Sequence, residues 1–482
     1  MKKNRTVLHL CVAALLFLLI KLLFPVVNGI TPVGVSVIAL FISIVYLWTF
    51  EGVGWVSLLA IALFPCTGVM GYAEIAANSF GSWVTVFTLA SCILNHALSE
   101  SGITDRIVKW AITRPAVQGH PWRFLCALFF SVYAVCFILD CTPAALVFFP
   151  MTLAICQQIG CEKQEKLSKV IFAGVMLSIL LGYCATPISH SIPILFIGLI
   201  NGDFGIGMNF ADWCRIGIPT SFAMFLVLLL FFRMVIRPDV SKLANFDARA
   251  VLASIPPMTR KQKIISVTYG AVILLWLCPT LLQSIAPAAA GWITAAGYIF
   301  PVVGAIAVLL CIRDEGKPVL DFDAALRSVS WPLILLTAGI MLVNPCISSE
   351  KSGIIPFLSG TLGPLFSSAS SKWVLIALAA VWVMLQTNFM SCFVSGQLVY
   401  TVFTPLAVAL PAFGLNGPAL GVMIAYACGV AFLSPPSSGP AAVFISTDYY
   451  TPGDALRYGT PLMILYMILC VILLYPLGAA CL

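Results

Sequence analysis

The sequence predicts an all-α integral membrane protein: one lead helix followed by two inverted-topology repeats of about five spans each, each with a re-entrant hairpin and a broken helix. Charged residues make up 9% of the 482 positions, against roughly 25% in soluble proteins. Residues 264–312 and 373–447 contain no Asp, Glu, Lys or Arg. This is enough apolar sequence for several spans at about 20 residues each.

A short motif occurs twice and reveals the duplication. The pattern D-x-x-R-x-G-x-P starts at Asp212 and again at Asp454, and each copy leads into a long apolar segment. Seven Lys and Arg residues lie between positions 233 and 263, whereas no charged residue follows the second copy. Because cytoplasmic loops collect Lys and Arg, the two segments are expected to leave the membrane on opposite sides. The repeats are therefore predicted to be inverted, with a cytoplasmic N-terminus and the C-terminus outside.

Four segments follow from this pattern. Residues 1–29 are a lead transmembrane helix, which we interpret as uncleaved because no small-residue cleavage site precedes the next span. Residues 30–236 form the first repeat, 237–262 a basic cytoplasmic linker and 263–482 the second repeat. The expected location is the plasma membrane, which in a bacterium is the inner membrane, with membrane lipid around the chain.

In the first repeat, apolar runs predict spans at about 32–50, 52–71 and 83–98, followed by a short amphipathic piece ending near Arg114. Residues 121–161 could make two crossings, or one span followed by a re-entrant hairpin. A further span then runs into a break at 186–193, which contains two prolines and three hydroxyls. Proline and hydroxyl residues at this density predict an interrupted helix.

The second repeat follows the same order. Ser330-Trp331 corresponds to Ser82-Trp83, and Asn344 corresponds to Asn95. The apolar stretch 373–415 corresponds to 121–161, and a break at 434–440 with three prolines corresponds to 187–193. Each half is thus predicted to supply one hairpin and one broken helix.

The two breaks predict a binding site. Unpaired backbone groups at membrane depth persist only where protein or water satisfies them, so the breaks are expected to line a cavity. Free carbonyls there can hold a small cation, and free helix N-termini attract an anion. Inverted repeats with broken helices are a common plan of secondary transporters, which bind their solute between the halves.

Together these features resemble the divalent anion/sodium symporters, a family that carries dicarboxylates, tricarboxylates or sulfate. The resemblance covers nearly the whole chain: the two repeats, the Ser-Trp spans, the hairpins, the breaks and the D-W-x-R-x-G-x-P segment. It implies transport of a small divalent organic anion, a di- or tricarboxylate, coupled to sodium or another cation. It also implies an elevator-type alternating-access mechanism and a homodimer.

The family usually has Ser-Asn-Thr at each hairpin tip. Spacing to Pro150 places the first tip at 140–142, Asp-Cys-Thr. The second tip is 395–397 by its spacing to Pro405, or 391–393 by the match of Thr387-Asn388. The resemblance implies substrate contacts at the tips and breaks, from Cys141, Thr142, His190, Ser191, Ser395, Gly396, Gln397, Ser437 and Ser438. Its implied sodium ligands are Asp140, Ser189, Thr387, Asn388, Ser391 and Pro436.

Asp140 is expected to be the only acidic side chain in the interior of an apolar segment. A carboxylate at that depth costs about 2.5 kcal/mol or more unless it is paired or hydrated. Three roles are open: a direct sodium ligand, a proton carrier, or a structural partner of a cation such as His190. His190 in turn is either a neutral hydrogen-bonded residue or a donor to the substrate carboxylate.

Other classes of protein are disfavoured. The 17 cysteines are scattered singly, which is typical of buried apolar side chains and not of disulfides or zinc sites. No metal-ligand cluster or phosphate loop is visible, and an intramembrane aspartyl protease needs a second deep carboxylate. We therefore expect no enzyme, no cofactor besides the coupling ion and no nucleic-acid partner. An anion exchanger and a transporter of sulfate or another oxyanion remain as alternatives.

Overall fold

The computed structural model describes residues 2–247, 251, 255–282, 285–367, 371–409, 414–445 and 447–482. Within these ranges nearly all regular structure is helical. The only described sheet is an antiparallel pair of two-residue strands, Arg313–Asp314 (β1) and Lys317–Pro318 (β2). The all-α prediction is confirmed.

The first half contains eleven described α-helices, numbered in chain order. They are α1 Lys2–Leu23, α2 Pro32–Phe50, α3 Val53–Leu63, α4 Tyr72–Asn78, α5 Trp83–Ser101, α6 Ile103–Ile112, α7 Pro121–Val135, α8 Cys141–Gln158, α9 Lys166–Ala185, α10 Ser191–Phe204 and α11 Phe210–Leu230.

The second half continues the numbering. Its described helices are α12 Arg260–Leu282, α13 Pro287–Ala296, α14 Ile299–Cys311, α15 Phe322–Ser328, α16 Trp331–Met341, α17 Val343–Ser348, α18 Ile354–Ser367, α19 Lys372–Thr387, α20 Cys392–Ala409, α21 Gly417–Gly429, α22 Gly439–Phe444, α23 Pro452–Leu469 and α24 Tyr475–Cys481.

The helices suit a membrane. Eight described segments are long and apolar enough to cross it, and two bent pairs, α4–α5 at 43° and α13–α14 at 77°, raise the number to ten. Among the shorter apolar helices, α7, α19 and α20 are arms of the two hairpins described below, and α10 and α21 are parts of the two broken helices. The outer surface of the molecule also carries large apolar side chains, and Leu22 and Leu23 of α1 are more than 70% exposed. The count of about eleven spans stays a prediction.

Both long apolar stretches fold as helical hairpins. Residues 136–140 join α7 to α8, and residues 388–391 join α19 to α20. α8 packs against α9, and α20 packs against α21, so each hairpin lies on the broken helix of its own half. Each of the two long apolar stretches thus forms two helices, and that these hairpins are re-entrant stays a prediction.

The broken helices occupy the centre of the molecule. Nearly every residue of α9 and α21 is buried, as expected for helices that are apolar on all sides. α9 ends where Thr186 precedes Pro187, and Thr186 has an extended backbone (φ −132°, ψ 152°). Proline disfavours helical geometry in the residue before it, so the chain breaks here and resumes as α10. The second break separates α21 from α22.

The duplicated motif builds the same structure twice. Asp212 and Asp454 each complete a capping box, with Asn209 at the start of α11 and Thr451 at the start of α23. Each helix contains the motif proline in its interior and ends in a turn of π-helix, at Phe231–Ile236 and at Cys470–Leu474. An acid three residues before a base at a helix start predicts a cap and an i,i+3 ion pair, and the cap is observed in both copies.

The predicted ion pair within the motif is found once only. Asp212 lies 3.5 Å from Arg215 in the first copy. In the second copy Asp454 instead lies 2.7 Å from Lys169 of α9. A partner on a neighbouring helix thus replaces Arg457, which corrects the expectation for that copy.

The basic linker packs against the first hairpin. Its short 3₁₀ turn, Ser241–Asn245, is followed by Phe246, whose ring centroid lies 4.6 Å from that of Phe124 on α7. Lys242 lies 2.7 Å from Glu165, just before α9. α12 begins at Arg260, slightly before the predicted start of the second repeat, and Arg249 lies outside the described residues.

Candidate binding cavity

A cavity of about 700 Å³ lies where the two hairpin tips, the two breaks and α5 meet. This volume is within the range of about 300–1,000 Å³ that is usual for small-molecule sites. Asp140 is the only Asp, Glu, Lys or Arg among the described residues that line it. The tips and breaks contribute Asp140, Cys141, Thr142, Pro143, His190, Ser391, Cys392, Phe393, Ser437, Ser438 and Gly439.

The first tip presents Asp140 at the start of α8. One carboxylate oxygen, Oδ1, accepts a hydrogen bond from the backbone N–H of Thr142 at 3.0 Å, so Asp140 is the N-cap of this helix. Asp140 is half-buried, Cys141 is buried and Thr142 is exposed to the cavity. The cap uses Oδ1, and Oδ2 faces no other protein donor in the described structure.

The second tip lies at residues 388–391, which resolves the ambiguity in the sequence. Ser391, Cys392 and Phe393 line the cavity, and α20 begins at Cys392. Ser395, Gly396 and Gln397 lie inside α20 and do not line this cavity. Gly396 packs on other helices, since a Cβ there would meet Cys428 and Phe196. Spacing to Pro405 therefore placed the tip four residues too late.

The first break aims His190 at the cavity and turns Ser189 away from it. Ser189 donates to the backbone oxygens of Tyr183 at 2.8 Å and Thr186 at 3.1 Å, and it is fully buried. His190 caps α10 by accepting from the N–H of Ile192 at Nδ1, at 3.2 Å. Ser191 lines a smaller void of about 20 Å³ that also touches Asp140 and His190.

The His190 ring is held between aromatic side chains of both halves. Its centroid lies 4.5 Å from that of Tyr183 and 5.4 Å from that of Phe393, with which it stacks. Because Nδ1 accepts a hydrogen bond, the neutral ring carries its proton on Nε2. His190 is therefore a hydrogen-bonded neutral residue that retains a free donor.

At the second break, two serines line the cavity with their protons engaged. Ser437 donates to the backbone oxygen of Ser434 at 2.6 Å, and Ser438 donates to that of Ala431 at 2.9 Å. Both serines therefore offer lone pairs, not free donors, in this conformation. Pro436 lies in the 3₁₀ turn Pro435–Ser437, and its side chain is outside the described part of the chain.

Thr387 and Asn388 bind the second break from the end of α19. Thr387 donates to the backbone oxygen of Cys428 at 2.7 Å. The side-chain oxygen of Asn388 accepts from the N–H groups of Phe432 at 3.0 Å and Leu433 at 2.8 Å. These side chains already satisfy backbone groups of the break, so the structure gives both of them a structural role.

Three helices of fourteen residues or more begin at the cavity. They are α8, α10 and α20, from different parts of the chain. The first N–H groups of a helix have no partner within it, and the helix dipole places partial positive charge at this end. The partial positive charge of these helix ends can attract an anion to a lining that has no Lys or Arg among the described residues.

A polar stripe on α5 forms the opposite wall, and sequence reasoning missed it. Cys92, Asn95, His96 and Ser99 all line the cavity. The Nε2 atom of His96 and the hydroxyl of Ser99 are buried without a hydrogen-bond partner among the described residues. Spacings of three and four residues place the stripe on one helix face, which was the available signal.

A second acid was also missed. Asp203, near the end of α10, accepts from Asn344 at 2.7 Å and from Tyr400 at 2.8 Å. Gln397 donates to Asn344 at 2.8 Å, which extends this network into α20. Asp140 is thus not the only acid within an apolar segment, and Gln397 belongs to a buried network away from the cavity.

The fold also creates a cluster of possible metal ligands that sequence reasoning did not find. One ligand atom each from Asp140, Cys141 and His190 lie within 4.8 Å of one another. The expectation that the chain has no such cluster is therefore wrong. All 17 cysteines have free thiols in the structure.

Comparison with known proteins gives one family and several relatives. A family model described as citrate transporter, CitMHS, matches residues 38–391, well over half of the chain. The sodium-dependent dicarboxylate transporter SdcS of Staphylococcus saprophyticus is 22% identical over 488 residues, covering 97% of this chain and 90% of that relative. The L-tartrate/succinate antiporter of Escherichia coli is 22% identical over 414 residues, covering 82% and 79%.

A solved structure shares the architecture. The YdaH transporter of Alcanivorax borkumensis aligns with a TM-score of 0.60 and 14% identity, covering 92% of this chain and 99% of that one. At this identity the match shows the fold alone.

Proposed function

The chain belongs to the citrate transporter family, and on this premise we propose that it carries a small di- or tricarboxylate across the plasma membrane, coupled to a cation. It is an integral membrane transporter and not an enzyme. Relatives named for dicarboxylates and for tartrate and succinate support carboxylates as the substrate class. Sulfate or another oxyanion is the alternative that this proposal sets aside.

The main support for this proposal is a cavity that can attract an anion although no Lys or Arg is among the described residues that line it. Three helix N-termini open into it, and Thr142, Ser391 and the Nε2–H of His190 add donors from both halves. A hydrogen bond to a charged acceptor contributes about 1.5–3 kcal/mol. A few such bonds would hold a carboxylate strongly enough to select it and weakly enough to release it.

Asp140 is the reason to propose cation coupling. A carboxylate placed 4 Å from a substrate carboxylate would be repelled by about 4 kcal/mol at an effective dielectric of 20. A sodium ion or a proton on Asp140 would cancel this repulsion, so anion and cation would bind together. The relative named as sodium-dependent favours sodium.

Exchange is the second candidate. A relative named as an L-tartrate/succinate antiporter aligns with 82% of the chain. In an exchanger a second carboxylate, bound on the other side of the membrane, would accompany the binding site on its way back. No cation gradient would then be needed. Asp140 would then neither gain nor lose a sodium ion or a proton during the transport cycle.

For the mechanism we propose an elevator-type movement in a homodimer. The hairpin arms and broken helices pack on each other across the two halves: α10 contacts α21, and α22 contacts both α8 and α9. Such a body could move as a unit against α5 and the remaining helices. The hydroxyl of Ser99 on α5, buried without a hydrogen-bond partner among the described residues, suits a wall that meets water in at least one state.

Uptake into proteoliposomes tests the proposal. Radiolabelled succinate and citrate would be offered under an inward sodium gradient, an inward proton gradient, and with preloaded counter-substrate. Accumulation driven by sodium or protons is the expected result. Uptake only with counter-substrate would favour the exchanger, and no uptake of either carboxylate under any condition would contradict the substrate class.

A further inference from the structure

Asp140, Cys141 and His190 form a compact set of three different ligand types. Their ligand atoms lie within 4.8 Å of one another, and all three residues line the 700 Å³ cavity. Asp140 and Cys141 come from the first hairpin tip, while His190 comes from the first break. The fold, and not local sequence, therefore assembles the set.

The ligand atoms are free or weakly engaged. Asp140 uses Oδ1 for its helix cap, which leaves Oδ2. The sulfur of Cys141 has one weak contact, 3.9 Å from the hydroxyl of Thr142. The Nδ1 atom of His190 accepts one long hydrogen bond, from the N–H of Ile192 at 3.2 Å.

Binding a metal at His190 would displace only the hydrogen bond that caps α10. Ligation through Nε2 would require the ring proton to move to Nδ1, and ligation through Nδ1 would replace the bond to Ile192. Either route gives up a single 3.2 Å hydrogen bond at the start of α10. The sulfur would lose its proton on binding, because the thiolate is the metal ligand.

The donor set indicates the class of cation. Sodium takes neutral and carboxylate oxygens, whereas imidazole and thiolate together suit Zn²⁺ and similar borderline metals. Three protein ligands with an open fourth position are the arrangement of a metal that also binds an exogenous ligand. Here that position would face the cavity.

We propose that Asp140, Cys141 and His190 bind a thiophilic divalent cation, with Zn²⁺ as the representative ion, and leave one position open to the cavity. The proposed function assigns Asp140 to the coupling cation as well, so Zn²⁺ and the coupling cation compete for Asp140. Metal binding itself does not depend on which solute is transported.

Metal binding to the purified full-length protein is the first test. Zn²⁺ affinity is measured by competition with a chromophoric chelator, and Co²⁺ is used to detect the thiolate–metal absorption band. We expect one site per chain. Cys141→Ser, Asp140→Asn and His190→Gln should each weaken Zn²⁺ binding by at least about 10–100-fold, a range typical when support of a metal site is lost. Cys11→Ser, which alters an exposed thiol on α1, should leave the affinity unchanged.

A second measurement needs no substitution. Wild-type protein is treated with a thiol-alkylating reagent with and without Zn²⁺, and the modified cysteines are mapped by mass spectrometry. Zn²⁺ should slow the modification of Cys141 and leave that of Cys11 unchanged. Equal modification of Cys141 in both samples, or a Zn²⁺ affinity that none of the three variants lowers, would overturn the proposal.

Transport gives an independent readout. Zn²⁺ should inhibit cation-driven uptake by the wild type, and a chelator should restore it. If no carboxylate uptake is found but the binding and protection results hold, the proposed function fails while the metal site stands. If uptake is found and Zn²⁺ does not bind, the metal site alone fails.

Discussion

The side-chain oxygen of Asn388, at the second hairpin tip, accepts a hydrogen bond from the backbone N–H of Leu433, in the second break, at 2.8 Å. The same oxygen accepts from Phe432 at 3.0 Å. One amide thus satisfies two backbone donors that the broken helix leaves without helical partners. These two hydrogen bonds hold the second hairpin tip against the second break without any contribution from a ligand.

Asn388→Ala should destabilise the protein by about 2 kcal/mol or more, since each buried donor left unpaired costs about 1–3 kcal/mol. The measurement is thermal unfolding of the purified protein. Asn78→Ala is the matched control, because Asn78 makes an exposed bond to the backbone of Glu74. Equal unfolding temperatures for the wild type and Asn388→Ala would show that the break does not depend on this side chain.

Asp140→Asn should abolish or strongly reduce the cation dependence of transport. Asparagine caps a helix as well as aspartate does, so α8 should keep its start while the cavity loses its only carboxylate. Uptake is measured against sodium concentration and against pH. Asp105→Asn, on the surface of α6 and paired with Lys109, should behave as the wild type. Unchanged ion dependence in Asp140→Asn would remove Asp140 from the coupling mechanism.

His190→Asn should weaken carboxylate binding by about 10–100-fold, the equivalent of one hydrogen bond to a charged acceptor at about 1.5–3 kcal/mol. Asparagine retains the cap of α10 but is too short to replace the donor at Nε2. His120→Asn is the control, because His120 is also a helix N-cap, at α7, and lies outside this cavity. The apparent KM of uptake reports the change, and a KM equal to that of the wild type would favour a purely structural His190.

Gly439→Ala should disturb the contact between the first tip and the second break. A Cβ at Gly439 would lie 2.6 Å from the hydroxyl oxygen of Thr142, and overpacking of this kind costs about 1–3 kcal/mol. Thr142→Ala removes that oxygen, so the double variant should recover the unfolding temperature that Gly439→Ala loses. Gly453→Ala, with its nearest neighbour 3.8 Å away, should be tolerated. No recovery in the double variant would mean that the backbone, and not Thr142, excludes a side chain.

Lys169→Met should destabilise the packing of α9 against α23. Its ammonium group lies 2.7 Å from Asp454, and both side chains are at most 15% exposed. The free energy of unfolding should fall by about 2 kcal/mol. This lies between the contribution of an exposed ion pair, up to about 1 kcal/mol, and the cost of breaking a buried one, about 3–5 kcal/mol. Lys163→Met breaks an equally short but exposed pair with Asp448 and should have little effect on thermal unfolding. Similar effects of both substitutions would show that burial does not strengthen the Lys169 pair.

Local chemistry explains which parts of the fold the sequence could predict. Prolines grouped with hydroxyl residues interrupt a helix, so the breaks after α9 and α21 follow from residues 186–193 and 434–440, whereas the single prolines of α11 and α23 lie inside continuous helices. The capping box at Asp212 and its copy at Asp454 are local as well. The second hairpin tip could not be located in this way, because residues 388–391 contain no proline or glycine. Spacing to Pro405 also misplaces it, because Pro405 lies inside the continuous helix α20.

The site depends on packing that no local pattern contains. Asp140 and His190 could each be recognised as a polar residue at an interruption. The proximity of His190 to Asp140 and Cys141 arises only when the first hairpin lies on α9. The α5 wall was missed for a similar reason: a stripe of Asn95, His96 and Ser99 reads as helix–helix contact until the cavity beside it is seen.

Equilibrium binding of radiolabelled succinate and citrate to the purified protein, with and without sodium, tests for a carboxylate site between the hairpin tips. We expect saturable binding at one site per chain, tighter in sodium, weakened in Thr142→Ala and preserved in Thr142→Ser, which keeps the hydroxyl. Absence of saturable binding, or binding that is equally strong in Thr142→Ala and His190→Asn as in the wild type, would contradict a carboxylate site between the hairpin tips.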